Sequence, residues 1–178
     1  MSDAVTQSVE LRPMTEQDLD LWETALGSPD GTGAFQWFGF TSIHEVRRRH
    51  AADGLVTPEA GMLAVRHDGE TVGRVEWWPW AWGKPATSAC WTIAIGLFDG
   101  SRGRGIGTAA HVALVAYLFD HTRAERVQAF TDASNVAERR ALERSGFELE
   151  GVLRRAQWRQ GAWHDQALYS MLRPTPDA

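Results

Sequence analysis

The sequence predicts a mixed α/β fold, a mainly antiparallel central sheet flanked by helices. Three observations carry that prediction. Two strand-length runs, Gly61 to Arg66 and Thr71 to Trp78, are joined by a hairpin turn with Asp68-Gly69 at its centre. A mostly apolar strand, Ala89 to Phe98, runs into a glycine-rich loop and then into residues at helical spacing. A further strand–helix unit and two closing strands follow, so the order reads β-α-α-β-β-β-α-β-α-β-β.

Taken in order, Val9 to Arg12 forms a short strand ended by Pro13. Thr15 and Asp18 form a capping-box pair at the start of a helix whose stripe is Leu19, Leu21, Trp22 and Leu26. Ser28 to Gly33 is a loop. Ser42-Ile43-His44-Glu45 matches a second capping box, and Arg47-Arg48-Arg49-His50 continues that helix. The strand Ala89 to Phe98 alternates poorly, as a strand buried on both faces does. Thr108 to Asp120 is helical through Val112, Val115, Ala116, Leu118 and Phe119. Arg126 to Phe130 is a strand, and Asn135 to Arg144 is a helix closed by Ser145-Gly146. Phe147 to Leu153 and Gln166 to Leu172 are the last strands, with Gly161 in the turn between them and Pro174 to Ala178 a frayed tail.

The 178 residues suit one domain, spanning 1–178 with a core of about 9–173. A net charge of −5 argues against a nucleic-acid binder, despite basic clusters at Arg47 to Arg49 and Arg139 to Arg144. Cys90 is the only cysteine, which excludes an intramolecular disulfide and argues against a cysteine-based metal site. The polar start, Met1 to Glu10, lacks the pattern of a signal peptide. No apolar run nears the roughly 20 residues of a membrane span. The expectation is a cytoplasmic protein with no metal, no nucleic acid and no membrane partner.

The chemistry concentrates between Ile95 and Thr108. Glycines let backbone N–H groups converge on a ligand, because no Cβ blocks the approach. The helix that follows offers unpaired N–H groups and the positive end of its dipole. Together they suit a pyrophosphate, with Arg102 and Arg104 adding charge. No Gly-Lys-Ser/Thr follows, so this is not a P-loop. Gly103, Gly105 and Gly107 also miss the dinucleotide spacing.

Arg102-Gly103-Arg104-Gly105-Ile106-Gly107 resembles the pyrophosphate loop of the GNAT superfamily, Arg/Gln-x-x-Gly-x-Gly/Ala. Asn135, Glu143, Ser145-Gly146-Phe147 and Glu150-Gly151 resemble that family's C-terminal motif. Leu11-Arg12-Pro13-Met14-Thr15 with Asp18 is similar to its opening strand and helix. The resemblance covers nearly the whole chain and is nearest the branch of ribosomal-protein alanine N-acetyltransferases and related small-molecule acetyltransferases. It implies a GNAT acyl-CoA N-acyltransferase fold, with acetyl-CoA as acyl donor. It further implies that Ile95, Gly96 and Leu97 pair with the pantetheine arm as an added strand. Arg102, Gly103, Arg104, Gly105, Ile106, Gly107 and Thr108 would cradle the pyrophosphate, and Asn135 would bond the cofactor near the pantetheine. Arg139, Arg140 or Arg144 would meet the 3′-phosphate, or form a solvated helix face. Homodimers are common in the family.

The implied reaction is direct attack of an amine on the thioester, which needs a base, an oxyanion donor and an acid. The backbone N–H of Leu97 is the implied oxyanion donor. Many family members place a Tyr where this chain has Leu142, and the ribosomal branch a Ser where it has Glu138. Glu138 is a candidate base, or an exposed helical carboxylate without an i+4 partner. Glu76, flanked by Trp77 and Trp78, is a second base candidate, or an outward-facing strand residue. His111, Tyr169 and Cys90 read mainly as packing residues. The nine tryptophans, four of them between Trp77 and Trp82, have two readings. They cover a sheet face or dimer contact, or Trp37, Trp77 and Trp80 wall an acceptor cleft for an aromatic or cationic amine. Three functions follow: acetylation of a small-molecule primary amine, acetylation of a ribosomal or other protein N-terminus, or a non-catalytic acyl-CoA sensor.

Overall fold

The computed structural model describes residues 9–175. The opening from Met1 to Ser8, most of the stretch searched for a signal peptide, lies outside them, as does the tail end from Pro176 to Ala178. The strands are β1 (Glu10–Pro13), β2 (Gly61–His67), β3 (Glu70–Ala81), β4 (Ala89–Leu97), β5 (Arg126–Asp132), β6 (Glu148–Arg159) and β7 (Ala162–Leu172). The helices are α1 (Glu16–Ala25), α2 (Pro29–Thr32), α3 (His44–Asp53), α4 (Pro85–Ser88), α5 (Ile106–His121) and α6 (Val136–Arg144). One seven-stranded sheet has the order β1-β2-β3-β4-β5-β7-β6. Every pairing is antiparallel except β4 with β5.

Helices cover both faces. On one, Ile106, Ala110, Leu114 and Leu118 of α5 and Leu142 of α6 pack on Val75, Trp77, Ile93, Ile95 and Val127. On the other, Leu19 and Trp22 of α1 pack with Ile43, Leu55, Met62 and Ala64. The two faces of β3 therefore divide cleanly. Val75 and Trp77 go to the α5 side, and Arg74, Glu76 and Trp78 go to the opposite side.

Local signals held where the contacts are local. Thr15 and Asp18 form the reciprocal capping box of α1. Asp68 (φ 52°) and Gly69 (φ 80°) make the hairpin turn between β2 and β3. Several expectations differ at element ends. Ser28 to Gly33 holds a one-turn helix, α2, capped by Ser28 with Pro29 at its first position. The expected box at Ser42 does not form: Ile43 is the N-cap, Ser42 Oγ accepts from the His44 N–H, and Glu45 pairs with Arg48. β3 continues through Pro79 to Ala81, because β2 ends opposite Trp77 and the strand is an edge beyond that point. The β6–β7 hairpin is longer than the sequence suggested, since register shifts between Leu153 and Gln157 let pairing resume as far as Arg159 and Ala162.

Asp18 illustrates how α1 is fixed. Burial alone would raise its carboxyl, but hydrogen bonds from Thr15, Thr71 and Arg12 outweigh burial and hold it at about 2, below the ordinary 3.8. A carboxyl depressed on folding stabilises the native state above the unfolded value and loses that contribution as pH falls. Roughly two units correspond to about 2 kcal/mol. Urea unfolding of wild type and Asp18→Asn should therefore differ by about 2 kcal/mol more at pH 5 than near pH 2.

Candidate active site

The site begins where the sheet splits. β4 and β5 pair only from Trp91–Val127 to Ile93–Ala129, so beyond Ile93 one edge of β4 has no strand neighbour. β3 continues to pair with β4 as far as Gly73–Leu97. Side chains occupy the vacant edge. Gln36 Nε2 donates to the Ile95 carbonyl at 2.7 Å, and Arg102 Nε donates to the Leu97 carbonyl at 3.1 Å. In extended backbone, the N–H and C=O of one residue face the same way. The Ile95 and Leu97 N–H groups thus lie on this open edge.

Two cavities meet along it. The first, of about 520 Å³, lies between β4 and α6 at the start of α5. Gly103, Gly105, Gly107, Thr108, Asn135, Arg140 and Arg144 line it. α5 starts at Ile106, two residues before the sequence suggested, so Gly107 and Thr108 belong to its first turn. Its N-cap is Gly105 at φ 81°, with no side-chain cap, and Gly103 is also left-handed at φ 73°. The helix's first N–H groups are thus left to a ligand. This edge, this uncapped helix start and these two arginines fit the adenosine pyrophosphate and pantetheine of a CoA thioester. Ile106 itself turns inward and is fully buried.

The two loop arginines behave differently from a phosphate clamp. Arg102 lines the cavity, but its Nη1 and Nη2 donate to the carbonyls of Asp30 and Gly31. It ties the glycine loop to α2. Arg104 is exposed and is not among the lining residues. Of the three helix arginines, Arg140 and Arg144 face the cavity, while Arg139 bonds Tyr169 Oη and the Ala133 carbonyl. Asn135 lines the cavity as the N-cap of α6, its Oδ1 accepting from the Glu138 N–H. Glu138 does have a partner, contrary to the helical spacing: its Oε1 lies 2.8 Å from Nε2 of His111, which is 1% exposed. The partner comes from α5, where intrahelical spacing does not look. Tyr169 is buried and donates to Glu143.

The second cavity, of about 460 Å³, lies across the β4 edge. Thr32, Gln36, Ile95 and Leu97 line both cavities. Trp22, Trp37, Trp78, Phe38, Phe98 and Phe130 give the second its aromatic walls. Among the described residues, Arg74 and Glu76 are its only charged lining residues. Trp77 is not part of it: at 4% exposure it sits on the opposite face of β3, against Tyr117. Alternation predicted that Trp77 and Trp78 diverge, and α5 decides which of them is core. Trp80 stands behind the wall, packed on Phe130. Glu76 is 31% exposed, with Oε1 3.5 Å from Arg74 Nη2. The sequence motifs point to neither Gln36 nor Arg74, and to Trp78 only as a neighbour of Glu76. Arg74 and Glu76 share a strand face by spacing, which is the one signal that would have paired them.

A splayed β4–β5 pair with an uncapped glycine turn beside it defines the acyl-CoA N-acyltransferase class. Residues 8–148 match the family model described as an acetyltransferase (GNAT) domain, and the chain belongs to that family. It is 33% identical over 85 residues to the probable N-acetyltransferase YjcK of Bacillus subtilis (strain 168), a match covering 47% of each protein. Among solved structures it is similar to RimJ of Mycobacterium smegmatis in complex with CoA-disulfide (22% identity, TM-score 0.72, 94% of this chain and 83% of that one). It is equally similar in fold to the aminoglycoside acetyltransferase AAC(6')-Ib in complex with coenzyme A and kanamycin (22% identity, TM-score 0.73, 93% and 95%). Among the described residues, no helix is long and apolar enough to cross a membrane.

Proposed function

We propose that the protein transfers the acetyl group of acetyl-CoA to the primary amine of a small molecule by direct attack in a ternary complex. The observation that carries this reading is the meeting of two cavities on the unpaired edge of β4. One has the chemistry of a CoA site, and the other is an aromatic pocket with one carboxylate. Aromatic walls hold a small apolar or cationic body better than they hold an extended peptide backbone. Proteins of similar fold are named for both kinds of acceptor, one an aminoglycoside acetyltransferase and one a ribosomal L7/L12 alpha-N-protein acetyltransferase.

In this reading Glu76 takes the proton from the ammonium, directly or through one water. The Leu97 N–H donates to the developing oxyanion; as that intermediate collapses to the amide the C–S bond breaks, and CoA leaves as the thiol, taking up the proton that the attacking nitrogen sheds. The first turn of α5 holds the pyrophosphate, and Arg140 and Arg144 hold the 3′-phosphate. Arg140→Ala and Arg144→Ala should each weaken CoA binding about 5- to 10-fold while leaving dephospho-CoA binding unchanged, as isothermal titration would read. Arg139→Ala should not discriminate between the two.

The test is a thiol-release assay with acetyl-CoA and a panel of small amines and N-terminal peptides. Release that depends on a small amine supports the reading. Release with ribosomal-protein peptides alone would assign the protein-modifying function instead. Acetyl-CoA binding without release from any amine would favour a sensor.

A further inference from the structure

Arg74 stands on the acceptor side of β3 with weak charge compensation. Its side chain is only 17% exposed, and its guanidinium lies 4.2 Å over the Trp22 ring. Other buried or half-buried arginines meet a carboxylate more closely. Arg159 meets Asp132 at 2.7 Å, and Arg12 makes two bonds to Asp18. Arg74 has one ion pair among the described residues, the 3.5 Å contact to Glu76; its Nε is sealed without a hydrogen-bond partner, as are those of Arg12 and Arg159, so the difference lies at its terminal nitrogens. Burial lowers its pKa, with the Glu76 charge opposing that only in part. Compensation has to arrive at the terminal nitrogens, on the side where Arg74 lines the acceptor pocket.

The backbone is shaped around this group. Arg74 pairs with Gly96 across β3 and β4, and a Cβ on Gly96 would lie 2.5 Å from Arg74 Nη1. Glycine at that position admits the guanidinium, which an alanine would displace. Arg74 and Glu76 then stand side by side on one strand face, a donor of paired hydrogen bonds next to an acceptor.

We infer that Arg74 is an anion subsite of the acceptor pocket and that the acceptor is an amine that also carries a carboxylate, an amino-acid-like zwitterion with an apolar or aromatic side chain. This rests on the acetyltransferase reading above. The planar fork of a guanidinium matches a carboxylate two bonds at a time. A single positive group beside a single negative one matches a zwitterion, with the ammonium toward Glu76 and the carboxylate on Arg74. The aromatic walls take the side chain.

The test measures binding, so it does not depend on turnover. With CoA bound, N-acetyl-L-phenylalanine and N-acetylphenethylamine, which differ by the carboxylate alone, are titrated against the quench of tryptophan fluorescence. The leucine pair is run in parallel. At least one carboxylated ligand should bind about 10- to 100-fold tighter than its counterpart. Arg74→Met should abolish that preference and Arg74→Lys should retain part of it, with CoA affinity intact in both as the check on folding. No carboxylate preference in any pair, or a preference that survives Arg74→Met, overturns the inference. A carboxylate preference without thiol release from any amine would keep the subsite and overturn only the catalytic reading.

Discussion

Glu76→Gln is expected to lower kcat/KM for amine acetylation about 100-fold or more while acetyl-CoA affinity stays unchanged. The reason is positional. Glu76 pairs with Ala94, and β4 loses its β5 neighbour immediately beyond Ile93. The carboxylate therefore sits level with the start of the open edge, on the acceptor side. Glutamine keeps the shape and hydrogen bonding but cannot accept the proton. Glu138→Gln, in the donor cavity and held by His111, should cost less than about 10-fold. Steady-state kinetics on both variants, with CoA titrations to confirm the donor site, would measure the contrast. Equal losses would remove Glu76 from the base role.

What the sequence made legible follows from the range of the contacts. The Thr15–Asp18 cap, the Asp68-Gly69 turn and the glycine start of α5 are decided within a few residues. The resemblance to the family was carried by similarly local motifs. What escaped is set by distant pairs. Gln36 reaches Ile95 across 59 positions, and Arg102 reaches Gly31 across 71. The loop that separates the two cavities is thus specified by residues whose partners no local pattern reveals. The tryptophan cluster shows the same limit. Alternation separated Trp77 from Trp78, but only the packing of α5 against one face buried the former and left the latter at the pocket. Arg102 has a phosphate ligand's position in the loop, but its Nη donors go to carbonyls of a one-turn helix and its Nε to the Leu97 carbonyl.

Asp132→Ala is expected to be the most destabilising of these changes, by about 3–5 kcal/mol, because it leaves a buried cation without its partner. Asp132 and Arg159 are each only 4% exposed and meet at 2.7 Å. Burial pushes the Asp132 carboxyl up, but Ser134 and Arg159 win and hold it below its ordinary value. Asp132 also takes the Ser134 N–H, three residues before the cap of α6. Arg159 lies 5.3 Å over the Phe35 ring and donates to the Phe35 carbonyl. Phe35 lines the donor cavity, and its neighbour Gln36 holds the open edge of β4. The pair thus couples stability to the partition between the two cavities. Urea unfolding of Asp132→Ala should show the loss, and CoA binding should weaken even below the transition. Replacing both members with apolar residues, Asp132→Leu with Arg159→Met, should recover much of the stability, since no charge is then stranded. It should not recover CoA affinity, because the Phe35 contacts are gone. Recovery of both together would show that the pair serves the fold alone.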